Sequence, residues 1–171
     1  VMKFIRRIQC RDLTDQINIW PSIVDTWISA LVEMKTTAFT TVNVKSEVIT
    51  YTDASDDGWG VVVVGFGNRM LRVFAGKWSS EERNDDINVR ELRAIRIGIR
   101  LLRKLADESN EQIGVHLRVD NTTARSWTIR SRAPKFIQNE IALQLNREAV
   151  EANLHILTVD YVRSEHNISD K

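Results

Sequence analysis

Four acidic side chains stand where this chain could do chemistry: Asp53, Glu91, Asp120 and Asp170. Asp53 closes the run SEVITYTD, Asp120 closes IGVHLRVD, and Asp170 lies in the ending SEHNISDK. Glu91 is the odd member. Wound as a helix at about 100° per residue, INVRELRAIRIGIRLL carries it near the middle of an apolar face with Ala94, Ile95, Gly98, Ile99, Leu101, Leu102, Leu105 and Ala106. A carboxylate is costly to bury unless something there needs it. Carboxylates that converge at a low-dielectric rim raise one another's pKa values, and divalent cations relieve that repulsion. All-oxygen ligation, with no cysteine and no histidine required, suits Mg²⁺ or Mn²⁺. Two such ions about 3.5 to 4 Å apart serve in-line phosphoryl displacement, one activating water and the other steadying the departing oxygen.

The elements that would position these groups follow from pattern. SEVITYTDA is rich in β-branched and aromatic residues and predicts a first strand. SDDG is a turn, WGVVVVGFG a second strand, GN a hairpin signal and RMLRVFAGKW a third strand. SSEERNDDI is a polar loop, and Asn88 can cap the long amphipathic helix that runs to about Glu108. IGVHLRVD predicts a fourth strand and NTTARSWTIRS a short helix, ended before Pro134. A helix bearing Phe136, Ile137, Ile141, Leu145 and Val150 follows, then NLHILTVDYV as a fifth strand. Hairpins followed by right-handed crossovers give an α/β fold, a mixed sheet flanked by helices with the fourth strand parallel to the first. Asp53 and Asp120 then leave neighbouring strands about 4.8 Å apart, at the carboxyl edge where α/β sheets bind ligands. Glu91, in the first turn of a helix that starts at the same edge, points inward toward them. Asp170 follows the fifth strand and is a possible fourth member.

Each residue also has a simpler role. Asp53 and Asp120 can initiate turns, Asp170 can cap, and Glu91 three residues after Asn88 can complete a capping box. All four simple roles must hold together for the cluster reading to fail.

The bulk properties bound these readings. A chain of 171 residues with net charge +1 is one domain with an appendage, and the charge alone does not mark a nucleic-acid binder. One cysteine, Cys10, excludes an internal disulfide and a cysteine-rich zinc site. No apolar run approaches membrane-spanning length and the first residues resemble no signal peptide. A soluble intracellular protein, cytoplasmic or nuclear, with no membrane partner, is expected. Residues 1–45 read as a helical appendage, WPSIVDTWISALVEMK placing Ile23, Val24, Trp27, Ile28 and Leu31 at helical spacing. A start at Val1 and a stop at Lys171 suggest a piece of something longer.

At these residues the chain resembles the ribonuclease H domain of retroelement reverse transcriptases, of long-terminal-repeat or DIRS-like type. YTDASDDGWG is similar to the family's first-strand signature, INVRELRAI to its N-x-x-E-L-x-A helix start, and RVDNTTA to its D-N-x-x-A site. RSEHNISDK resembles the E-x-N-x-A-D ending, with Ser169 where alanine is usual. The resemblance spans residues 46–171. It implies a ribonuclease H-like fold, with a five-stranded mixed sheet in order 3-2-1-4-5. It also implies a two-metal endonuclease that cuts the RNA strand of RNA–DNA hybrids and leaves a 3′-hydroxyl and a 5′-phosphate. In that reading Asp53 bridges two Mg²⁺ ions (Mn²⁺ can substitute), and Glu91 holds one ion near the scissile 2′-hydroxyl. Asp120 completes the first ion's shell and Asp170 the second's. Residues 1–45 become the tail of a polymerase thumb or connection region, so the polymerase domain upstream in the parent chain is a partner. The family's final helix is truncated here, and RSRAPK leaves no room for an extra basic helix. His166 is the nearest candidate for an auxiliary loop histidine in product release.

Hybrid binding needs phosphate and 2′-hydroxyl contacts more than base reading. Asn88 can reach a hydroxyl, and Asn121 and Thr122 open a helix N-terminus suited to phosphate. Arg125, Arg130, Arg132 and Lys135 form a basic cluster. Trp127 can stack on a base or fill the core, and the core is the expectation. The stripe Arg93, Arg96, Arg100 and Arg103 reads as a solvated helix face, or one resting on the appendage or a partner. A domesticated ribonuclease H-like module with a structural or RNA-binding role is the alternative function, and another nuclease or integrase of the same superfold a third.

Overall fold

A computed structural model describes residues 44, 46–65, 70–109 and 112–169. Apart from Val44, the expected appendage over residues 1–45 lies outside the described residues, as do the GN hairpin signal and Asp170. The strands are β1 (Ser46–Ala54), β2 (Gly58–Gly65) and β3 (Met70–Lys77), followed by helix α1 (Ile87–Ser109). Then come β4 (Ile113–Val119), α2 (Thr122–Arg130), α3 (Phe136–Glu151) and β5 (Leu154–Tyr161). A short 3₁₀ turn at Glu82–Asn84 lies within the expected polar loop, and another at Ser164–His166 follows β5.

The sheet order is β3-β2-β1-β4-β5, as expected. β1 pairs antiparallel with β2 and parallel with β4, and β4 pairs parallel with β5. Alternation explains which side chains face the helices. Val115, Leu117 and Val119 of β4 are fully buried, while His116 and Arg118 between them are half-buried on the other face. Helix α1 returns Leu92, Ile95, Ile99 and Leu102 to that core, and α3 adds Ile141, Ala142 and Leu145. Trp127 of α2 packs partly buried against the same core, the expected role. Gly98 lets α1 come close to β1, since a Cβ there would lie 3.3 Å from Thr52 Cγ2 and 3.6 Å from Thr50 Cγ2. Glu91, Ile95, Gly98 and Leu102 follow helical spacing, so the same close approach carries Glu91 down onto the end of β1.

Two expectations need correction. The cap of α1 is Asp86, whose Oδ1 accepts from the Val89 N–H at 3.1 Å, while Asn88 sits inside the helix. Both positions hold a residue able to cap, and only the path of the preceding loop chooses between them. Glu91 is therefore not the third residue of a capping box. The arginine stripe is also more than a solvated face. Arg96 donates to Glu148 of α3 through Nε and Nη2, the latter at 2.6 Å, and Arg100 grips the same carboxylate at 2.9 Å. Arg93 pairs with Asp85 at 2.6 Å. Burial alone would raise the Glu148 pKa, but the hydrogen bonds from Arg96 and Arg100 outweigh it and hold the carboxyl below its ordinary value.

Removing that shared acceptor strands Arg96, which is itself mostly buried. Glu148→Ala is expected to lower unfolding stability by about 1–3 kcal/mol. Glu151→Ala, at the exposed 3.9 Å pair with Arg103, should cost less than about 0.5 kcal/mol. Urea unfolding of the two variants checks the contrast, and equal losses would contradict it.

Candidate metal centre

The last ladder pair of β1 with β4 is Thr52 with Val119, so Asp53 and Asp120 stand next in line at the shared end of two parallel strands. Glu91, in the second turn of α1, closes the triangle. It is 4% exposed, whereas Asp53 and Asp120 are half-buried. One carboxylate oxygen from each of the three lies within 4.8 Å of the other two. The Ala54 backbone N–H donates to the Glu91 carboxylate, but its Oε2 is buried without any hydrogen-bond partner. Burial first, then the charges of Asp120 and Asp53, push the Glu91 pKa up to about 8, against smaller opposing effects of the Ala54 N–H and Arg90.

Neighbouring groups fix this geometry. Asp120 Oδ2 accepts from Ser164 Oγ at 2.9 Å, which ties the 3₁₀ turn after β5 to the end of β4. Arg90 is buried, at 7% exposure. Its Nη1 donates to the Ser55 carbonyl at 3.0 Å and its Nη2 to Asp56 at 2.7 Å. Trp78 Nε1 donates to the same Ser55 carbonyl at 3.0 Å. The turn just after Asp53 is thereby bolted to the N-terminal end of α1.

Asn167 was not singled out from sequence as a working residue. It is fully buried, and its Nδ2 donates to the Thr52 carbonyl at 3.0 Å. Its Oδ1 accepts from Ser169 Oγ at 2.7 Å. The Ser169 carbonyl in turn presses on β2, where a Cβ at Gly60 would meet it at 2.6 Å. Gly60 is the ladder partner of Asp53. An asparagine amid polar neighbours at a chain end gives no pattern that announces burial, so only its place in the E-x-N-x-A-D ending hinted at it.

The expected substrate contacts lie in the first turn of α1, along α2 and on the 3₁₀ turn after β5. Asn121 caps α2, its Oδ1 accepting from the Ala124 N–H at 2.8 Å, and its Nδ2 donates to Asn88 Oδ1 at 3.0 Å. Thr122 and Arg130 are exposed at the two ends of α2. Arg125 instead directs Nε to the Val159 carbonyl at 2.8 Å, pinning α2 to β5. His166 is exposed on the 3₁₀ turn that also carries Ser164.

The donor set is carboxylate oxygen alone, and one of those oxygens is buried with no donor. Both features fit a hard divalent cation better than a hydrogen-bonding role.

Sheet order and the placing of acidic residues where β1 and β4 end together make this a ribonuclease H-like fold. Solved structures agree. A ribonuclease H1 from the halophilic archaeon Halobacterium salinarum matches with a TM-score of 0.54 at 9% identity, over 72% of this chain and 89% of that one. LC11-RNase H1, solved in complex with an RNA/DNA hybrid, matches with a TM-score of 0.57 at 17% identity, again over 72% and 89%. The foamy viral protease-reverse transcriptase, also solved with RNA/DNA hybrid, gives 0.51 at 8% identity, over 74% of this chain and 19% of that one. No family model and no curated protein sequence matches the chain. Among the described residues no helix is long and apolar enough to cross a membrane.

The raised pKa of Glu91 makes stability depend on pH in a defined sense. Its folded value, about 8, lies above the ordinary 4.5, so between those values the folded chain holds a proton that the unfolded chain releases. In metal-free buffer its stabilising contribution is whole below about pH 4.5 and falls as pH rises toward 8. Glu91→Gln should therefore melt higher than the parent at pH 8 in a chelator and lose that advantage near pH 4.5. Each kcal/mol is worth roughly 2–4 °C of Tm in a chain of this size. Thermal unfolding across pH checks it, and a variant that melts lower at pH 8 would contradict it.

Proposed function

We propose that this domain is a Mg²⁺-dependent endonuclease that hydrolyses the RNA strand of RNA–DNA hybrids as part of a retroelement reverse transcriptase. The observation that carries the reading is the Glu91 Oε2, buried without a donor within reach of the Asp53 and Asp120 oxygens. Asp53, Glu91, Asp120 and Asp170 would hold two Mg²⁺ ions, with Mn²⁺ able to substitute. Bound there, the ions would supply an activated water and neutralise charge on the departing oxygen. Asp170 as fourth ligand draws support from its neighbour, because the Ser169 carbonyl lies on Gly60 beside Asp53.

The chain's own groups do the rest. Ser164 fixes the Asp120 carboxylate in one orientation. The paired amides of Asn88 and Asn121 stand beside the acidic triangle, where a ribose 2′-hydroxyl could donate to one and accept from the other. That hydroxyl is what distinguishes RNA from DNA. Thr122, at the N-terminus of α2, and Arg130 at its end would bind phosphates. Arg125 would support them by holding α2 against the Val159 carbonyl of β5, and His166 would assist departure of the product. Support for the hybrid as substrate comes from LC11-RNase H1 and the foamy viral enzyme, both solved with one. The foamy viral chain joins its matching part to a reverse transcriptase, which supports a polymerase domain as partner.

Labelled RNA–DNA, RNA–RNA and DNA–DNA duplexes, each with and without Mg²⁺, test the reading. Cleavage of the hybrid's RNA strand alone, and only with Mg²⁺, is expected. Asp53→Asn should slow it at least about a thousandfold, roughly 4 kcal/mol of barrier, with the fold intact by circular dichroism. Metal-independent hybrid binding without cleavage would favour the structural or RNA-binding module instead. Asn167→Ala should cost about 1–3 kcal/mol of stability and reduce cleavage further than that loss explains. Unchanged cleavage by this variant would contradict its anchoring role.

A further inference from the structure

Helix α3 carries apolar residues on two opposite faces. Gln138, Ile141, Ala142, Leu145 and Ala149 fill the face packed in the domain. On the outward face Phe136, Leu143 and Val150 are 80%, 45% and 76% exposed. Their spacing is seven and seven, which keeps a helical stripe on one line. Between them, at the intervening half-heptad positions, stand Glu140 and Arg147. Neither makes an ion pair among the described residues. A surface helix normally keeps its outward face polar, so exposed apolar residues alternating with opposite charges along one line, with Ile137 59% exposed beside them, suit a packing partner on this face.

We infer that this face of α3 is a two-fold interface with a second copy of the same chain. The stripe is complementary to itself when reversed. With two α3 helices antiparallel about an axis through Leu143, Phe136 of one copy meets Val150 of the other, and Leu143 meets Leu143. Glu140 and Arg147, three residues before and four after Leu143, then face each other twice with opposite charge. Parallel alignment would instead oppose Glu140 to Glu140 and Arg147 to Arg147, so charge selects the antiparallel arrangement. An isologous contact of this kind closes at two copies. Sixteen residues of helix are only about 24 Å long, so the contact area is at the small end for a specific interface and the dimer is weak. Asn139 and Gln144, half-buried, flank the stripe with uncharged amides.

Sedimentation equilibrium of the full 171-residue chain, from micromolar to millimolar concentration, tests this. The apparent mass should rise with concentration to twice that of the monomer and no further. Leu143→Asp sets two carboxylates on the axis and should abolish the rise, while circular dichroism shows an unchanged fold. Glu140→Arg and Arg147→Glu should each weaken the dimer at least about tenfold, and the double reversal should restore it. That restoration distinguishes a self-contact from a site for any other protein. A chain that stays monomeric throughout, an assembly that grows past two, or a double variant no better than the singles would overturn the inference.

Discussion

A carboxylate held out of water against two others is the constraint around which this domain is arranged. Glu91 lies on the buried side of α1, one of its oxygens without a donor, and Asp53 and Asp120 crowd it from the ends of two parallel strands. Nothing in the packing of a sheet and a helix asks for that. Alanine at position 91 would bury more comfortably, and burial first, then the charges of Asp120 and Asp53, push the Glu91 pKa up to about 8. A domain retains such a cluster when cations occupy it, because the attraction then exceeds both the repulsion and the desolvation.

Much of the surrounding structure serves to keep the three groups in place. Gly98 admits the helix close to β1, and the Asp86 cap starts α1 at the right depth. Arg90 and Trp78 both seize the Ser55 carbonyl, so the turn after Asp53 cannot drift from the helix. Ser164 steadies Asp120 from the far side, and Asn167 pins the last described segment across the end of β1. These are hydrogen bonds to backbone carbonyls or single carboxylate oxygens, the kind of support that fixes a polar site to fractions of an ångström.

How much of this could be read beforehand depended on whether a signal was local. The succession of strands and helices, and the fourth strand parallel to the first, followed from period-two runs, turn residues and the right-handed crossover rule, because each is set by neighbours along the chain; the full order 3-2-1-4-5 was what the family resemblance implied. The acidic triangle was legible for a related reason: two aspartates ended strands that had to be parallel, and a glutamate broke an otherwise apolar face. What stayed hidden came from distant pairing. Arg96 and Arg100 looked like a solvated stripe because Glu148 is about fifty residues away and on another helix. Arg90 owes its contacts to the β1–β2 turn, about 35 residues away along the chain. Asn88 lost the cap to Asp86 because two residues of equal capping strength stood two positions apart, and the loop's path broke the tie.

Binding of divalent cations by the acidic triangle is the property on which the proposed chemistry depends. Calorimetric titration of Mn²⁺ into the metal-free chain, beside Asp53→Asn and Glu91→Gln, measures that without any substrate. Saturable binding in the parent, lost or weakened at least about tenfold in both variants, is the predicted result. Heats that are the same in all three proteins, or absent from all three, would contradict it.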